Sequence, residues 1–410
     1  MDPIAIVGAG QAGLALAAKL RSLGCETPIR LIGAETAPPY QRPPLSKKYM
    51  LGDMSRERLY LRPESFYPEA GIALATGAPV AAVEAAAKVL VLADGTRLAC
   101  SAIALCTGAE PIRLPEAAGG GLNGVYTMRT LADAEAMAPE FRPGQRVLIV
   151  GGGYIGLEAA AVAAARGLQV TLVEMAPRLL ARVACAETAE WFRALHARHG
   201  VDIRTATGLS ELVGTGGRVR AARLSDGSEL PVDFVIAGIG VRPSTALAEA
   251  AGLAVSNGIA VDALGQTSAP GIHAAGDCTS FPHRSGRIRL ESVPHAIAQA
   301  ETVAAAMLGQ GAPYVARPWF WSDQYDVKLQ IAGLNAGHDR VIRRPGEAPG
   351  SVSHWYFAGP ALLAVDAMNN PRAYMTAKRL IETGRSPDPA ALADVSVPLK
   401  ALPLTQTEPA

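Results

Sequence analysis

Two short stretches constrain this chain more than any others: GAGQAGLALAA from Gly8 to Ala18 and GGGYIGLEAA from Gly151 to Ala160. Each follows a short apolar run, Ile4–Val7 in the first case and Val147–Val150 in the second. The spacing G-x-G-x-x-G makes three demands on the backbone. The first glycine allows a tight strand-to-helix turn, the second lets the backbone approach a pyrophosphate, and the third lets the helix pack closely on the strand. A phosphate then meets free N–H groups at the positive end of a helix. Gly8, Gly10 and Gly13 fit one turn, and Gly151, Gly153 and Gly156 fit the other. The expected fold is α/β, with two Rossmann-like dinucleotide-binding domains.

The surroundings of the two turns repeat. After the first come a hairpin with an Asp94-Gly95 turn and a strand, Ala102–Cys106, ending in TGAEP (107–111). After the second come a hairpin with an Asp226-Gly227 turn and a strand, Phe234–Ala237, ending in GIGVRP (238–243). DG is a strong hairpin signal, so the organisation reads as duplicated. Prolines in PPYQRPPLSKKYM, Pro38 to Met50, exclude a regular helix there. Gly119–Gly121 reads as a linker. A helix is expected around Val293–Leu308, alternating strands from Trp319, a helix over Pro371–Thr383, and a loosely ordered Pro-rich end from about Ser386. The expected division is 1–112 with 242–318, then 113–241, then a C-terminal α+β domain over 319–410.

Composition narrows the function. With 49% hydrophobic and 18% charged residues the chain is globular. A net charge of +1 offers no global attraction to nucleic acid. No uncharged apolar run reaches membrane-spanning length, and no basic segment precedes an apolar one near the N-terminus. The expectation is a cytoplasmic protein without membrane contact. The five cysteines show neither CxxC nor metal-ligand spacing, so no metal site is expected.

Glu174 lies 23 residues after Gly151 (174 − 151), at the end of the second strand of its module. An acid there accepts hydrogen bonds from a ribose 2′-hydroxyl and repels a 2′-phosphate, which favours NADH. Arg178, four residues on, keeps a phosphate in play. In the first module the acid comes later, at Glu35, as a ribose ligand or a solvated loop carboxylate.

TSAPGIHAAGDC, Thr267 to Cys278, resembles the second FAD motif of the flavoproteins with two dinucleotide-binding domains. RPPLSK (42–47) and PWFWSDQY (318–325) sharpen the likeness to the NADH-dependent ferredoxin reductases of bacterial oxygenase systems, the putidaredoxin reductase and rhodocoxin reductase group. The resemblance implies FAD in the first module and NADH in the second. It implies Lys47 near the flavin N5, Glu158 beside it, and Trp321 near the isoalloxazine. For FAD it carries over Ala12, Ala34, Arg42, Val80, Thr107, Gly108, Arg129, Asp277 and Val293, with Ala34 standing where relatives carry an acid, and Glu35 remains the candidate read from the residues. For NADH it carries over Ile155 and Gly240. From the residues alone, the alternatives are a loop charge for Lys47, core aromatics for Trp319 and Trp321, and a helix cap or plain turn for Asp277.

No cysteine occurs between Cys25 and Cys100, where same-fold enzymes with a redox thiol carry one. Electrons must then leave the flavin directly. The resemblance implies an acidic 2Fe-2S ferredoxin, docking near the flavin edge and serving a haem-thiolate monooxygenase. Candidates for a basic rim are His283, Arg284, Arg287, Arg289, Arg317, Lys328, Arg343 and Arg344. Rubredoxin, a quinone or a dioxygenase ferredoxin are alternative acceptors, and a non-enzymatic flavoprotein is a further reading. A monomer is expected.

Overall fold

The structure, a computed structural model, describes residues 1–284 and 286–406. Its contacts divide the chain into two units. The first comprises Met1–Gln41, Ser55–Glu110 and Val241–Pro318; the second comprises Arg42–Met54, Pro111–Gly240 and the chain from Trp319 onward.

The first unit is built on a five-stranded parallel sheet in the order Ile272–Ala274, Ala102–Leu105, Ile4–Val7, Ile29–Ile32, Ile72–Ala75. Its central strand, IAIV, is buried at every position, as a sheet covered on both faces requires. Ile4 and Ile6 pack with Leu16 and Leu20 of the helix Gln11–Ser22 and Val303 of the helix Val293–Met307. Ala5 and Val7 face the other way, toward Val83 and Leu90. Those two belong to a three-stranded antiparallel layer, Val80–Glu84, Val89–Leu92 and Arg97–Ala99, which contains the expected DG hairpin.

The second unit repeats this sandwich. Its parallel sheet runs Asp202–Thr205, Gln169–Glu174, Arg146–Val150, Phe234–Ala237, Val125–Thr127. An antiparallel layer, Leu209–Thr215, Arg218–Leu224 and Glu229–Pro231, covers one face. The helix Tyr154–Ala165 is buried continuously from Gly156 to Ala163. That is the behaviour of a helix apolar on nearly all sides. The unit also holds a five-stranded antiparallel sheet, in the order Trp319–Gln324, Val327–Gly333, Ala361–Met368, Val352–Ala358, Arg340–Pro345. The helix Pro371–Glu382 lies on it, started by the side chain of Asn370, which accepts the Ala373 N–H.

Two expectations are corrected. Gly119–Gly121 is a packed turn, not a linker: a Cβ on Gly119 would lie 2.7 Å from Leu212, and one on Gly120 would lie 2.0 Å from the Leu114 carbonyl. The segment from Ser386 is ordered through Gln406. Arg385–Pro387 pairs with Leu404–Gln406, and the helix Pro389–Ala393 lies between them. The Ser386 hydroxyl, fully buried, accepts the Leu362 N–H at 2.8 Å. Proline density there marks bends rather than looseness. Residues 407–410 of that stretch lie outside the described residues.

Candidate functional site

The first glycine turn is tight because its atoms leave no room for side chains. Gly8 has φ +112, and a Cβ there would sit 2.1 Å from the Cys106 carbonyl oxygen. A Cβ on Gly13 would sit 2.0 Å from the Gly8 carbonyl oxygen. Around Gly10, by contrast, a Cβ would meet nothing within 4 Å. Gly10 is the N-cap of the helix Gln11–Ser22, with no side-chain cap. That helix end therefore keeps its orphan N–H groups uncapped by any side chain, with open space beside Gly10, the donor set a pyrophosphate needs. The second turn matches atom for atom. Gly151 has φ +109 and a Cβ there would lie 2.4 Å from the Gly238 carbonyl oxygen. Gly156 would meet the Gly151 carbonyl oxygen at 2.0 Å, and Gly153 stands open. The helix Tyr154–Ala165 likewise begins at Gly153 without a side-chain cap. Ile155, in its first turn, is 43% exposed. Gly240, with φ +113, accepts the Ile112 N–H at 2.9 Å.

Around the first turn, a Cβ on Gly276 would lie 2.9 Å from the Ala12 methyl, so Ala12 packs against the residue that precedes Asp277. The Gly276 N–H and the Thr279 hydroxyl both donate to Gln299 Oε1, at 2.7 and 2.9 Å. Gln299 is buried and was not singled out from sequence, since a glutamine inside an apolar helix pattern carries no motif. Thr107 donates to the Ser244 carbonyl at 2.7 Å, and Gly108 accepts the Ser244 N–H. Val293 opens the helix Val293–Met307, capped by Ser292. Glu35 accepts the Tyr40 hydroxyl at 2.6 Å, Ala34 is exposed, and Val80 is half-buried.

In the second unit, Glu174 closes its strand and accepts two backbone donors, the Gly152 N–H and the Ala176 N–H, each at 2.7 Å. Arg178 donates to the carbonyls of Ala184, at 2.7 Å, and Ala181, at 3.0 Å. Arg42 donates to the Arg129 carbonyl at 2.9 Å.

Lys47 and Glu158 meet. The Pro-rich loop forms one π-helical turn, Leu45–Tyr49, with Lys47 itself out of helical conformation at φ −137 and ψ −112. The turn presents Ser46 and Lys47 together. Lys47 Nζ lies 2.8 Å from Glu158 Oε1, with side-chain exposures of 13% and 2%. Ser46 donates to Glu158 Oε2 at 2.8 Å, and Ser322 donates to Oε1 at 2.6 Å. A carboxylate so buried requires charge pairing and several donors, and it has both. Ser46 and Ser322 were not foreseen, although each lies in a motif quoted above. Trp321 stands between Phe320 and Ser322 on the strand Trp319–Gln324, so it faces away from Glu158. Its ring lies 5.7 Å from that of Trp319.

The basic rim is corrected at Arg344, which is buried and donates to the Leu392, Asp394 and Val397 carbonyls. Arg287 donates to the Val261 and Ser280 carbonyls, and Arg289 pairs with Glu291. Arg317, Lys328 and Arg343 are exposed. All five thiols are buried and unpaired. Burial pushes the Cys106 and Cys278 thiols up, away from reactivity. Among the described residues no cluster of potential metal ligands occurs, and no helix is long and apolar enough to cross a membrane.

Residues 2–300 match the pyridine nucleotide-disulphide oxidoreductase family, and residues 319–403 match the reductase C-terminal domain. The chain is 42% identical over 401 residues to a ferredoxin--NAD(P)(+) reductase of a Sphingomonas species, covering 97% of this chain and 96% of the relative. It superposes on putidaredoxin reductase in its covalent complex with putidaredoxin with a TM-score of 0.93 and 41% identity, covering 97% of each chain. On the ferredoxin reductase for the CYP199A2 system of Rhodopseudomonas palustris the TM-score is 0.94 at 38% identity, covering 98% of this chain and 99% of that one. The two open glycine turns, the duplicated sandwich and the antiparallel C-terminal sheet thus have one source: the chain belongs to the pyridine nucleotide-disulphide oxidoreductase family.

Proposed function

We propose that the chain is an FAD-dependent NADH:ferredoxin oxidoreductase, passing electrons singly to a 2Fe-2S ferredoxin that serves a bacterial haem-thiolate monooxygenase. The observation that carries this reading is the pair of uncapped, phosphate-ready helix ends in a chain whose thiols are all buried. Two dinucleotides bind, and no protein thiol relays electrons between donor and acceptor. The names of the relatives, reductases of ferredoxins and of putidaredoxin, support the acceptor.

In this reading 1–112 with 242–318 binds FAD, 113–241 binds NADH, and 319–410 completes the reductase. Bound in the first module, FAD would supply chemistry that no side chain here offers, the exchange of a two-electron hydride for single electrons. The chain's own residues bind and orient. Gly8, Gly10 and Gly13 admit the FAD pyrophosphate, Asp277 the ribityl chain, and Ala12, Ala34, Glu35, Arg42, Val80, Thr107, Gly108, Arg129 and Val293 line its path. Gly151, Gly153, Ile155, Gly156 and Gly240 receive NADH. Glu174 takes the adenosine ribose, while Arg178, spent on loop carbonyls, offers little to a 2′-phosphate. Lys47 stands near the flavin N5, held by Glu158, and Trp321 near the isoalloxazine. Arg317, Lys328 and Arg343 belong to the rim that receives an acidic partner, and the protein works in the cytoplasm as a monomer.

The test is NADH-driven cytochrome c reduction with and without a small 2Fe-2S ferredoxin, after bound flavin is confirmed by absorption. A rate that rises strongly with ferredoxin is the expected result. Flavin bleached by NADH with no effect of ferredoxin redirects the reading to rubredoxin or quinone acceptors.

A further inference from the structure

Glu158 is the end of a longer chain of hydrogen bonds than the ion pair requires. Its Oε1 accepts Ser322 Oγ at 2.6 Å. Gln324 Nε2 donates to that same Ser322 oxygen at 3.1 Å. Gln324 Oε1 faces His196 Nε2 at 2.8 Å, and the Tyr325 hydroxyl reaches His196 Nδ1 at 3.2 Å. Glu158, Ser322, Gln324 and His196 are all at least 98% buried.

The direction of the chain follows from elimination. The Gln324 amide oxygen can only accept, so His196 Nε2 carries the proton. Burial lowers the imidazole to about 4, so it is neutral and its Nδ1 is a bare acceptor. Burial pushes the Tyr325 phenol up, so it stays a donor. Every N–H and O–H therefore points the same way, toward the carboxylate. Bonds aligned in this manner polarise one another in a low dielectric.

Tyr325 sustains this order at a cost. It sits at φ +56, a conformation unusual for an aromatic residue. Its ring stacks on His199 at 3.6 Å and 10°. A backbone in that region persists where its surroundings over-determine it. Here the stack and the bond to His196 do so.

We propose that His196 is a positioning residue for the Lys47–Glu158 pair, acting through Gln324 and Ser322 to hold the Glu158 carboxylate in one orientation. Lys47 Nζ then has one place to be. What the pair is used for rests on the NADH-to-flavin reading above; the chain itself does not.

The experiment uses the FAD-loaded protein and has two arms. Long-range ¹⁵N-histidine NMR at neutral pH reads the His196 tautomer, expected to be neutral with the proton on Nε2. Stopped-flow reduction at saturating NADH compares wild type with His196→Phe, which removes the donor, and His196→Gln, which keeps an N–H of similar reach. His196→Phe is expected to slow flavin reduction about tenfold with NADH affinity within about twofold, and His196→Gln to restore the rate to within about twofold. A purely structural role would lower thermal stability in both variants and leave the rate of the folded flavoprotein alone. A folded His196→Phe reducing at the wild-type rate, an imidazolium, or an Nδ1–H tautomer would overturn the proposal. Should His196→Phe fail to fold, the tautomer still decides. Wild type that NADH does not reduce would instead sink the functional reading, with the tautomer measurement still judging the chain.

Discussion

The two glycine turns share a backbone and differ in two acids. In each, the strand pairing is the same: Val7 lies opposite Ile32, and Val150 opposite Val173. One residue further, Gly33 in the first module corresponds to Glu174 in the second. Their neighbours explain the exchange. A Cβ on Gly33 would lie 2.7 Å from the Ala9 methyl, whereas in the second module that neighbour is Gly152, and Glu174 fits. Two residues past the third glycine, the first helix carries Ala15 and the second Glu158. One scaffold thus became two sites through side chains placed where the backbone allows them. At these two positions the second is acidic, with Glu174 and Glu158, and the first is neutral, with Gly33 and Ala15. The first module's acid comes later, at Glu35, and the register shows why none fits at Gly33.

The largest effects on nucleotide binding should come from filling the turns. Gly13→Ala and Gly156→Ala each place a Cβ 2.0 Å from a carbonyl oxygen. Each should weaken its own nucleotide by about 100-fold or more, about 3 kcal/mol of affinity. Gly13→Ala should purify without flavin absorbance. Gly156→Ala should keep its flavin and fail to be reduced by NADH. Identical behaviour would end the assignment of different nucleotides to the two turns.

Next comes the ion pair that only the second module has. Lys47→Met leaves Glu158 buried with hydroxyl donors alone and should cost about 3–5 kcal/mol in denaturant unfolding. Lys47→Met combined with Glu158→Leu should recover most of that loss. If the double variant is no more stable than the single, the pair is not the source.

The second unit holds another buried acid, Asp366, bonded by the hydroxyls of Tyr356 and Thr188. Burial raises it from 3.8 to about 6, against those two bonds, which lower it. A raised folded value means that the folded state binds the proton more tightly than the unfolded one. Its stabilising contribution is full below about pH 4 and is lost as pH rises through about 6. Asp366→Asn, neutral throughout, should therefore gain about 2 kcal/mol over wild type at pH 7.5. That gain should vanish near pH 4 in melting curves, and a constant difference across this range would refute the linkage.

Smaller effects separate the ribose ends. Glu174→Arg should raise the KM for NADH about tenfold and admit NADPH. Gly152→Ala, whose Cβ would lie 2.6 Å from Leu179 and 3.2 Å from Glu174, should raise it about threefold. An unchanged NADH preference in Glu174→Arg would remove this acid from the ribose.

Much of this was legible along the chain. Glycine spacing, DG turns and the alternation after Trp319 are patterns of residue type at short spacing, so they can be read without knowing what packs against them. Gln299, which holds the Asp277 turn, was not legible, because a buried glutamine on a helix resembles any other. Arg344 was misread as surface because charge in a strand says nothing of which face it takes. By itself the sequence determined the two glycine turns, their order and the lack of a cysteine between Cys25 and Cys100, since each rests on residue identity along the chain. Only the tertiary structure decided that Ser46, Glu158, Ser322, Gln324 and His196 converge. They come from four separate segments, and the need to satisfy a buried charge, not any local preference, brings them together.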